Sequence, residues 1–214
     1  MIKIMPSTNP CPEDKLVDYA KQISDLNIDY IHCDVMDGEF VKNKCLPIEL
    51  IEKIRNNVNI LLDIHLMVDD NLKYVKECIK LKPSIITIHY ESPKSVKEIY
   101  KLAKLIKSKD IMFGISIKPN TPILMLEQFL DILDLILVMS VEPGMSGQKF
   151  IEDSLDRLKE TKEMVGSRDI IIEVDGGINE DNIQSVIDAG AKFLVMGSAF
   201  YNSKDKEKLL KKIN

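Results

Sequence analysis

The sequence predicts an α/β fold: a single (β/α)8 TIM barrel with parallel strands, filling residues 1–214 as one domain. Three observations carry this expectation. Short apolar runs alternate with segments of three-to-four-residue apolar spacing from end to end, there are eight such units, and 214 residues are enough for one sizeable core but not for two. Strict β/α alternation implies parallel strands joined by crossover helices, and eight units close into a barrel more naturally than they form an open sheet. Each unit has roughly 27 residues, near the small end for this architecture, so the loops must be short.

The strands are expected at 2–7, 28–34, 60–66, 84–89, 111–117, 134–141, 169–175 and 192–197. Between them, Leu16, Tyr19, Ile23 and Leu26 and then Leu72, Val75 and Ile79 have helical spacing, and a last amphipathic segment carries Leu209, Leu210 and Ile213. No linker, low-complexity tract or repeat interrupts the pattern.

Composition narrows the functional classes. Hydrophobic residues make up 45% and charged residues 29%, an ordinary globular balance, and the net charge of -5 argues against a nucleic acid held by backbone-phosphate contacts, so none is expected as a partner. Cys11, Cys33, Cys45 and Cys78 form no CxxC pair and read as reduced thiols. The N-terminal MIKIMPSTNP lacks the apolar run of a signal peptide, and no stretch reaches 18 apolar residues. A cytoplasmic enzyme without membrane contact is the expectation.

Alternation within the strands then locates the chemistry, because successive side chains point to opposite faces. In the second strand His32, Asp34 and Met36 share a face opposite Ile31, Cys33 and Val35. In the third, Asp63, His65 and Met67 oppose Leu62, Ile64 and Leu66. The fourth sets Thr87, His89 and Glu91 against Ile86 and Ile88, and the seventh sets Glu173 and Asp175 against Ile172 and Val174. The apolar faces must meet the helices, so the polar sets face into the barrel at the strands' C-terminal ends, where such barrels do chemistry. A single inward His is more often a hydrogen-bonded core residue than a ligand. Three at one level with carboxylates beside them point to a metal or an ion-pair network. His32, Asp34, His65 and Asp175 make a two-His, two-carboxylate site for one divalent transition metal, Zn first, with Fe, Co or Mn as alternatives.

Glycines mark a second site. Asp175-Gly176-Gly177-Ile178 follows the seventh strand and Gly197-Ser198-Ala199 the eighth, where TIM barrels bind phosphate through exposed backbone N–H groups. Pro143-Gly144-Met145-Ser146-Gly147-Gln148, after the sixth strand, is placed to close over the same group. Met36, Met67 and Met139 fall at strand ends with inward parity; they read as barrel-mouth packing or as a polarizable, water-poor lining for a reactive intermediate. No Walker motif or GxGxxG indicates a nucleotide.

Taken together these segments resemble a family. His32-Cys33-Asp34-Val35-Met36-Asp37-Gly38-Glu39-Phe40-Val41, with Asn43, resembles the H-x-D-x-M-D-G-x-F-V-x-N signature of ribulose-phosphate 3-epimerases. Asp63-Ile64-His65-Leu66-Met67-Val68 resembles their D-x-H-L-M-V, and Val138 to Phe150 resembles V-M-x-V-x-P-G-F-G-G-Q-x-F. The resemblance runs from Pro6-Ser7 to Ser198. It implies a TIM barrel interconverting ribulose 5-phosphate and xylulose 5-phosphate in the pentose phosphate pathway. It also implies His32, Asp34, His65 and Asp175 as metal ligands and Asp34 and Asp175 as the acid/base pair. Ser7 would contact the substrate, and Gly144, Gly147, Gly177, Gly197 and Ser198 would surround the phosphate of a small-molecule sugar phosphate; self-association as a homo-oligomer is implied too. Thr8-Asn9-Pro10-Cys11-Pro12, Lys42 and Met145-Ser146 depart from the usual residues without removing a chemical group.

The chemistry suits the residues. Epimerisation at C3 of a 2-ketose removes a proton α to a carbonyl and returns one to the opposite face, which two facing carboxylates can do. Two rival readings remain at this stage. One is an epimerase of a longer ketose phosphate such as allulose 6-phosphate, and the other is a non-catalytic sugar-phosphate-binding barrel. A decarboxylase or synthase on a related barrel is disfavoured because D-x-K-x-x-D is absent.

Overall fold

A computed structural model describes residues 1–213; Asn214, the last position of the expected domain, lies outside the described residues. All eight expected strands form, as β1 (Lys3–Pro6), β2 (Tyr30–Asp37), β4 (Leu61–Met67), β5 (Ile85–His89), β6 (Met112–Ile117), β7 (Leu135–Met139), β8 (Ile171–Asp175) and β9 (Phe193–Met196). They pair in parallel in the order β1-β9-β8-β7-β6-β5-β4-β2. A parallel bridge between Ser7 and His32, with the Thr8 N–H donating to the His32 carbonyl at 2.9 Å, joins β1 to β2 and closes the barrel.

One strand was not expected. β3 (Lys44–Cys45) runs antiparallel to the end of β2, pairing Met36 with Cys45 and Asp37 with Lys44. Asp37 causes the reversal: its Oδ1 accepts from the N–H groups of Glu39 and Phe40 at 2.8 and 3.0 Å, and Gly38 takes φ 85°. Its Oδ2 accepts from the Asp69 N–H at 2.7 Å, which ties this hairpin to the loop after β4.

Register transmits the parity from strand to strand. His32 lies opposite Asp63, Asp34 opposite His65, Met36 opposite Met67, His65 opposite Thr87, and Met139 opposite Asp175, so each pair projects to the same side. Ile31, Cys33, Val35, Leu62, Ile64, Leu66, Ile86, Ile88, Ile172 and Val174 all join the outer core beneath the helices, as the alternation requires. A separate cluster of Met5, Ile85, Leu135, Leu137, Met139, Val141, Phe193 and Val195 fills part of the interior.

The outer layer comprises α1 (Leu16–Asp25), α2 (Ile48–Asn57), α3 (Asn71–Cys78), α4 (Val96–Lys107), α5 (Ser154–Val165), α6 (Ile183–Asp188), α7 (Ser198–Tyr201) and α8 (Lys206–Leu210). Leu16, Tyr19 and Ile23 are buried on α1 as their spacing requires, and Leu209 is buried on α8. On α3 the stripe is different. Leu72 is 44% exposed, and Asn71, Val75 and Cys78 are buried instead. Asp70 caps this helix by accepting from the Lys73 N–H, and that start turns the Asn71 face inward, where its amide donates to Ser92 Oγ at 2.5 Å. The crossover after β6 is a 3-10 helix, Ile123–Phe129, not an α-helix; its buried Ile123, Leu126 and Phe129 recur every third residue, the spacing that stacks on one face of a 3-10 turn. Among the described residues no helix is long and apolar enough to cross a membrane.

Candidate active site

A cavity of about 190 Å³ opens at the C-terminal ends of the strands. Of the expected residues, Ser7, Asp34, Met36, Met67, Met139, Gly144, Met145, Ser146, Gly147, Asp175, Gly176, Gly177, Gly197 and Ser198 line it. His32 and His65 do not reach its surface. Both are fully buried and stand beneath the two aspartates.

Asp34 is the hub. Its Oδ2 accepts from the Ser7 hydroxyl at 2.8 Å, and its Oδ1 lies 3.2 Å from His65 Nδ1 and 3.3 Å from His32 Nε2. Asp175, at the end of β8, brings its Oδ2 within 4.0 Å of the same His65 Nδ1. One ligand atom from each of His32, Asp34, His65 and Asp175 lies within 4.8 Å of all the others. His32 Nε2 has no hydrogen-bond partner although it is fully buried, which is costly for a ring nitrogen unless another group meets it. Two imidazoles and two carboxylates converging with a bare nitrogen fit a divalent transition metal.

Environment drives the two aspartates apart. Burial pushes the carboxyl of Asp34 up, but the charge of His32 and the close polar contacts of the His32 and His65 rings outweigh it and hold Asp34 below the usual carboxylate range. For Asp175, burial and then the negative charge of Asp34 act in the same direction, and its pKa is pushed up to about 7. One carboxylate is therefore held ionised and its neighbour held close to neutral pH, a division suited to an acid and a base.

A second layer lies below. His32 Nδ1 donates to Asp63 Oδ2 at 2.5 Å, and Glu173 Oε1 approaches the same nitrogen at 3.8 Å. Burial lowers the affinity of His32 for a proton, but the charges of Asp63 and Asp34 outweigh it and raise its pKa. Glu173 is fully buried, and burial together with the charge of Asp63 raises its pKa well above the ordinary carboxyl value. On β5, burial lowers His89 to about 4, while the hydrogen bonds from His89, Thr121 and the Lys118 N–H outweigh burial and bring Glu91 down to about 2.

The glycine loops are shaped by close backbone contact. A Cβ on Gly176 would lie 2.3 Å from Val141 Cγ2, and one on Gly177 would lie 2.4 Å from the backbone nitrogen of Phe150; both glycines also take positive φ, 119° and 68°. The Ser140 hydroxyl fixes this turn by donating to the carbonyls of Asp175 and Gly176. Gly147 faces Ser198, and Gly197 faces Ser7. The loop Pro143–Gln148 is braced by the Gln148 amide, which donates to the carbonyls of Glu142 and Met145, and it is tied across the cavity by Asn43, whose amide donates to the Gly144 carbonyl at 2.8 Å.

Gln148, the last residue of the expected closing segment, reaches the cavity; Asn9 and Asn179 reach it too and were not singled out from the sequence. Asn9 lies in the atypical first loop, and Asn179 sits just past the glycine turn; neither position carries a periodicity or a glycine to mark it.

The comparisons with known proteins agree with this geometry. A family model described as "Ribulose-phosphate 3 epimerase family" matches residues 3–201. The chain is 37% identical to a ribulose-phosphate 3-epimerase of Bacillus subtilis (strain 168), over all of this chain and 98% of that protein. It is 35% identical to a chloroplastic ribulose-5-phosphate-3-epimerase of Arabidopsis thaliana, over 99% of this chain and 76% of that protein. Among solved structures, a 3-hexulose-6-phosphate synthase superposes with a TM-score of 0.72 at 14% identity, over 99% of this chain and 98% of the other. A 3-keto-L-gulonate-6-phosphate decarboxylase from Vibrio cholerae gives the same TM-score and identity, over 97% and 94%. At that identity the likeness is one of fold.

Proposed function

The chain belongs to the ribulose-phosphate 3-epimerase family, and from that premise we propose that Asp34 and Asp175 exchange protons with C3 of D-ribulose 5-phosphate, giving D-xylulose 5-phosphate through an enediolate. The observation that carries the proposal is the convergence of two carboxylates in opposite protonation regimes at the floor of one cavity. Asp34, ionised and oriented by Ser7, takes the proton in one direction. Asp175, able to hold a proton near neutral pH, returns one from the other face. In the reverse direction the roles exchange. Two bases on two faces make rotation of the intermediate unnecessary.

His32, Asp34, His65 and Asp175 would hold one divalent cation, and zinc suits the two imidazoles and two carboxylates of this set. When bound, such a cation supplies Lewis-acid stabilisation of the negative charge that develops on the substrate oxygens. The remaining residues bind and shield. Met36, Met67 and Met139 line the floor with apolar surface and exclude water from the reacting carbon. The phosphate would sit against the backbone of Gly147, Gly177, Gly197 and Ser198, with Gly144, Met145 and Ser146 closing above it and Gly176 setting the turn. Ser7 would contact the sugar beside Asp34. A place in the pentose phosphate pathway goes with this substrate, and four free cysteines fit a cytoplasmic setting.

The test is solvent deuterium exchange at C3 of a pentulose 5-phosphate, with metal analysis on the same sample. Deuterium should enter C3 in protein that carries the cation. Absence of exchange in metal-replete protein would overturn the assignment in favour of a binding role.

A further inference from the structure

His89 is fully buried, does not reach the cavity, and has no part in the proton transfers above. Yet both of its nitrogens are engaged. Nε2 lies 2.9 Å from His65 Nε2, and Nδ1 lies 3.3 Å from Glu91 Oε2. Two imidazole nitrogens at hydrogen-bond distance share one proton, so one must donate and the other accept.

The far end of the chain decides which. Glu91 Oε1 accepts from the Lys118 N–H at 2.8 Å and from the Thr121 hydroxyl at 2.5 Å. That loop is itself held by Arg157, whose guanidinium donates to the carbonyls of Thr121 and Lys118 at 2.8 and 2.9 Å. A carboxylate anchored this way can only accept at Oε2. His89 Nδ1 must therefore donate, leaving a lone pair on its Nε2. His65 Nε2 must donate in turn, and the lone pair of His65 falls on Nδ1, the nitrogen that faces Asp34 Oδ1 at 3.2 Å and Asp175 Oδ2 at 4.0 Å.

We propose that Glu91, acting through His89, fixes the tautomer of His65 so that Nδ1 is presented as a metal ligand; both are positioning residues, and the inference rests on reading the four converging donors as a metal site. The other histidine of the set is oriented by one bond instead of two. His32 Nδ1 donates directly to Asp63, which turns its unpartnered Nε2 toward the other three donors. The two ligands are thus oriented by a direct and a relayed route.

Glu91→Gln tests the relay by reversing its polarity without changing its shape. Because the Lys118 N–H requires an oxygen at Oε1, the new amide nitrogen must face His89 and donate to it. His89 Nε2 then carries the proton, and His65 is driven to place its own on Nδ1. Zinc affinity, measured by competition with a chromophoric chelator, should fall by about tenfold or more, the usual effect of losing an outer partner of a metal-bound His. In the unaltered metal-free protein, where no cation fixes the His65 tautomer, long-range 15N–1H spectra should show His89 protonated on Nδ1 and bare on Nε2. Unchanged zinc affinity in a folded Glu91→Gln protein, or a proton on His89 Nε2 in the unaltered protein, overturns the relay while leaving the metal site standing. If Glu91→Gln fails to fold, the spectrum of the unaltered protein decides. An unaltered protein that takes up no divalent ion overturns the four-donor reading and the relay with it.

Discussion

The side chains that fill the barrel interior divide by chemistry into two halves that share strands. Met5, Ile85, Leu135, Leu137, Phe193 and Val195, from β1, β5, β7 and β9, make the apolar half, and His32, Asp63, His65, Thr87, His89 and Glu173, from β2, β4, β5 and β8, make the polar half. All of these side chains are buried, so the difference is not one of exposure. An apolar filling would be the more stable choice throughout, since buried ionisable groups lose hydration that their mutual contacts repay only in good geometry. The polar half is therefore explained by what it does, and the apolar half is the wall it is built against. Substitutions on the two sides should separate rate from stability.

The largest expected effect is on rate. Asp34→Asn and Asp175→Asn each remove one proton carrier while keeping the side chain's shape, and each should lower kcat by about a thousandfold or more, with an unchanged circular dichroism spectrum. Near-native turnover in either variant would remove that residue from the acid/base pair. The opposite half should answer in stability. Leu137 is fully buried and does not line the cavity, so Leu137→Ala leaves a void costing about 2–5 kcal/mol in denaturant unfolding, with kcat of the folded fraction little changed. A large loss of kcat without a loss of stability there would break the division.

The next effect is pH-dependent. The Asp175 carboxyl is raised to about 7 by burial and by the charge of Asp34, so between its ordinary value and 7 the native state holds a proton that the unfolded chain releases. Its contribution to stability is complete at low pH and is lost as pH rises through about 7. Between pH 5 and pH 8 the metal-free protein should therefore lose more melting temperature than metal-free Asp175→Asn does. Added cation should raise the melting temperature more at pH 8, because a ligating carboxylate must first lose its proton. Glu173, also raised, acts in the same direction and the lowered His65 and His89 act in the opposite one, so the measurement that isolates Asp175 is the difference between the native protein and Asp175→Asn.

Much of the polar half could be read in the sequence because strand parity is a local property. His32 and Asp34, or Asp63 and His65, announce their common face two residues apart, and register then carries that face from strand to strand. What eluded the sequence depends on contacts between distant segments or on a turn's exact geometry. Leu72 kept helical spacing but the capped start of α3 rotated it outward, and β3 arose from one aspartate side chain reversing the chain. His89 was visible as an inward residue, yet its link to Arg157 passes through Glu91 and the Lys118–Thr121 loop, which no local pattern connects. Asn43 showed in the motif, but its partner lies 101 residues away.

That partner supplies the smallest prediction. The Asn43 amide donates to the Gly144 carbonyl, joining the β2–β3 hairpin on the polar side to the loop that follows β7 on the apolar side. The bond is exposed and single, so its loss costs about 1 kcal/mol, not a collapse of the site. Asn43→Ala frees the loop without touching Asp34 or Asp175, and the chemical step should proceed at nearly the native rate once substrate is held. The effect should appear as a rise of about fivefold in KM, with kcat within about twofold of native. A fall in kcat with KM unchanged would mean that closure of this loop sets the geometry of proton transfer itself, and the boundary between wall and chemistry would then have to be drawn through Gly144.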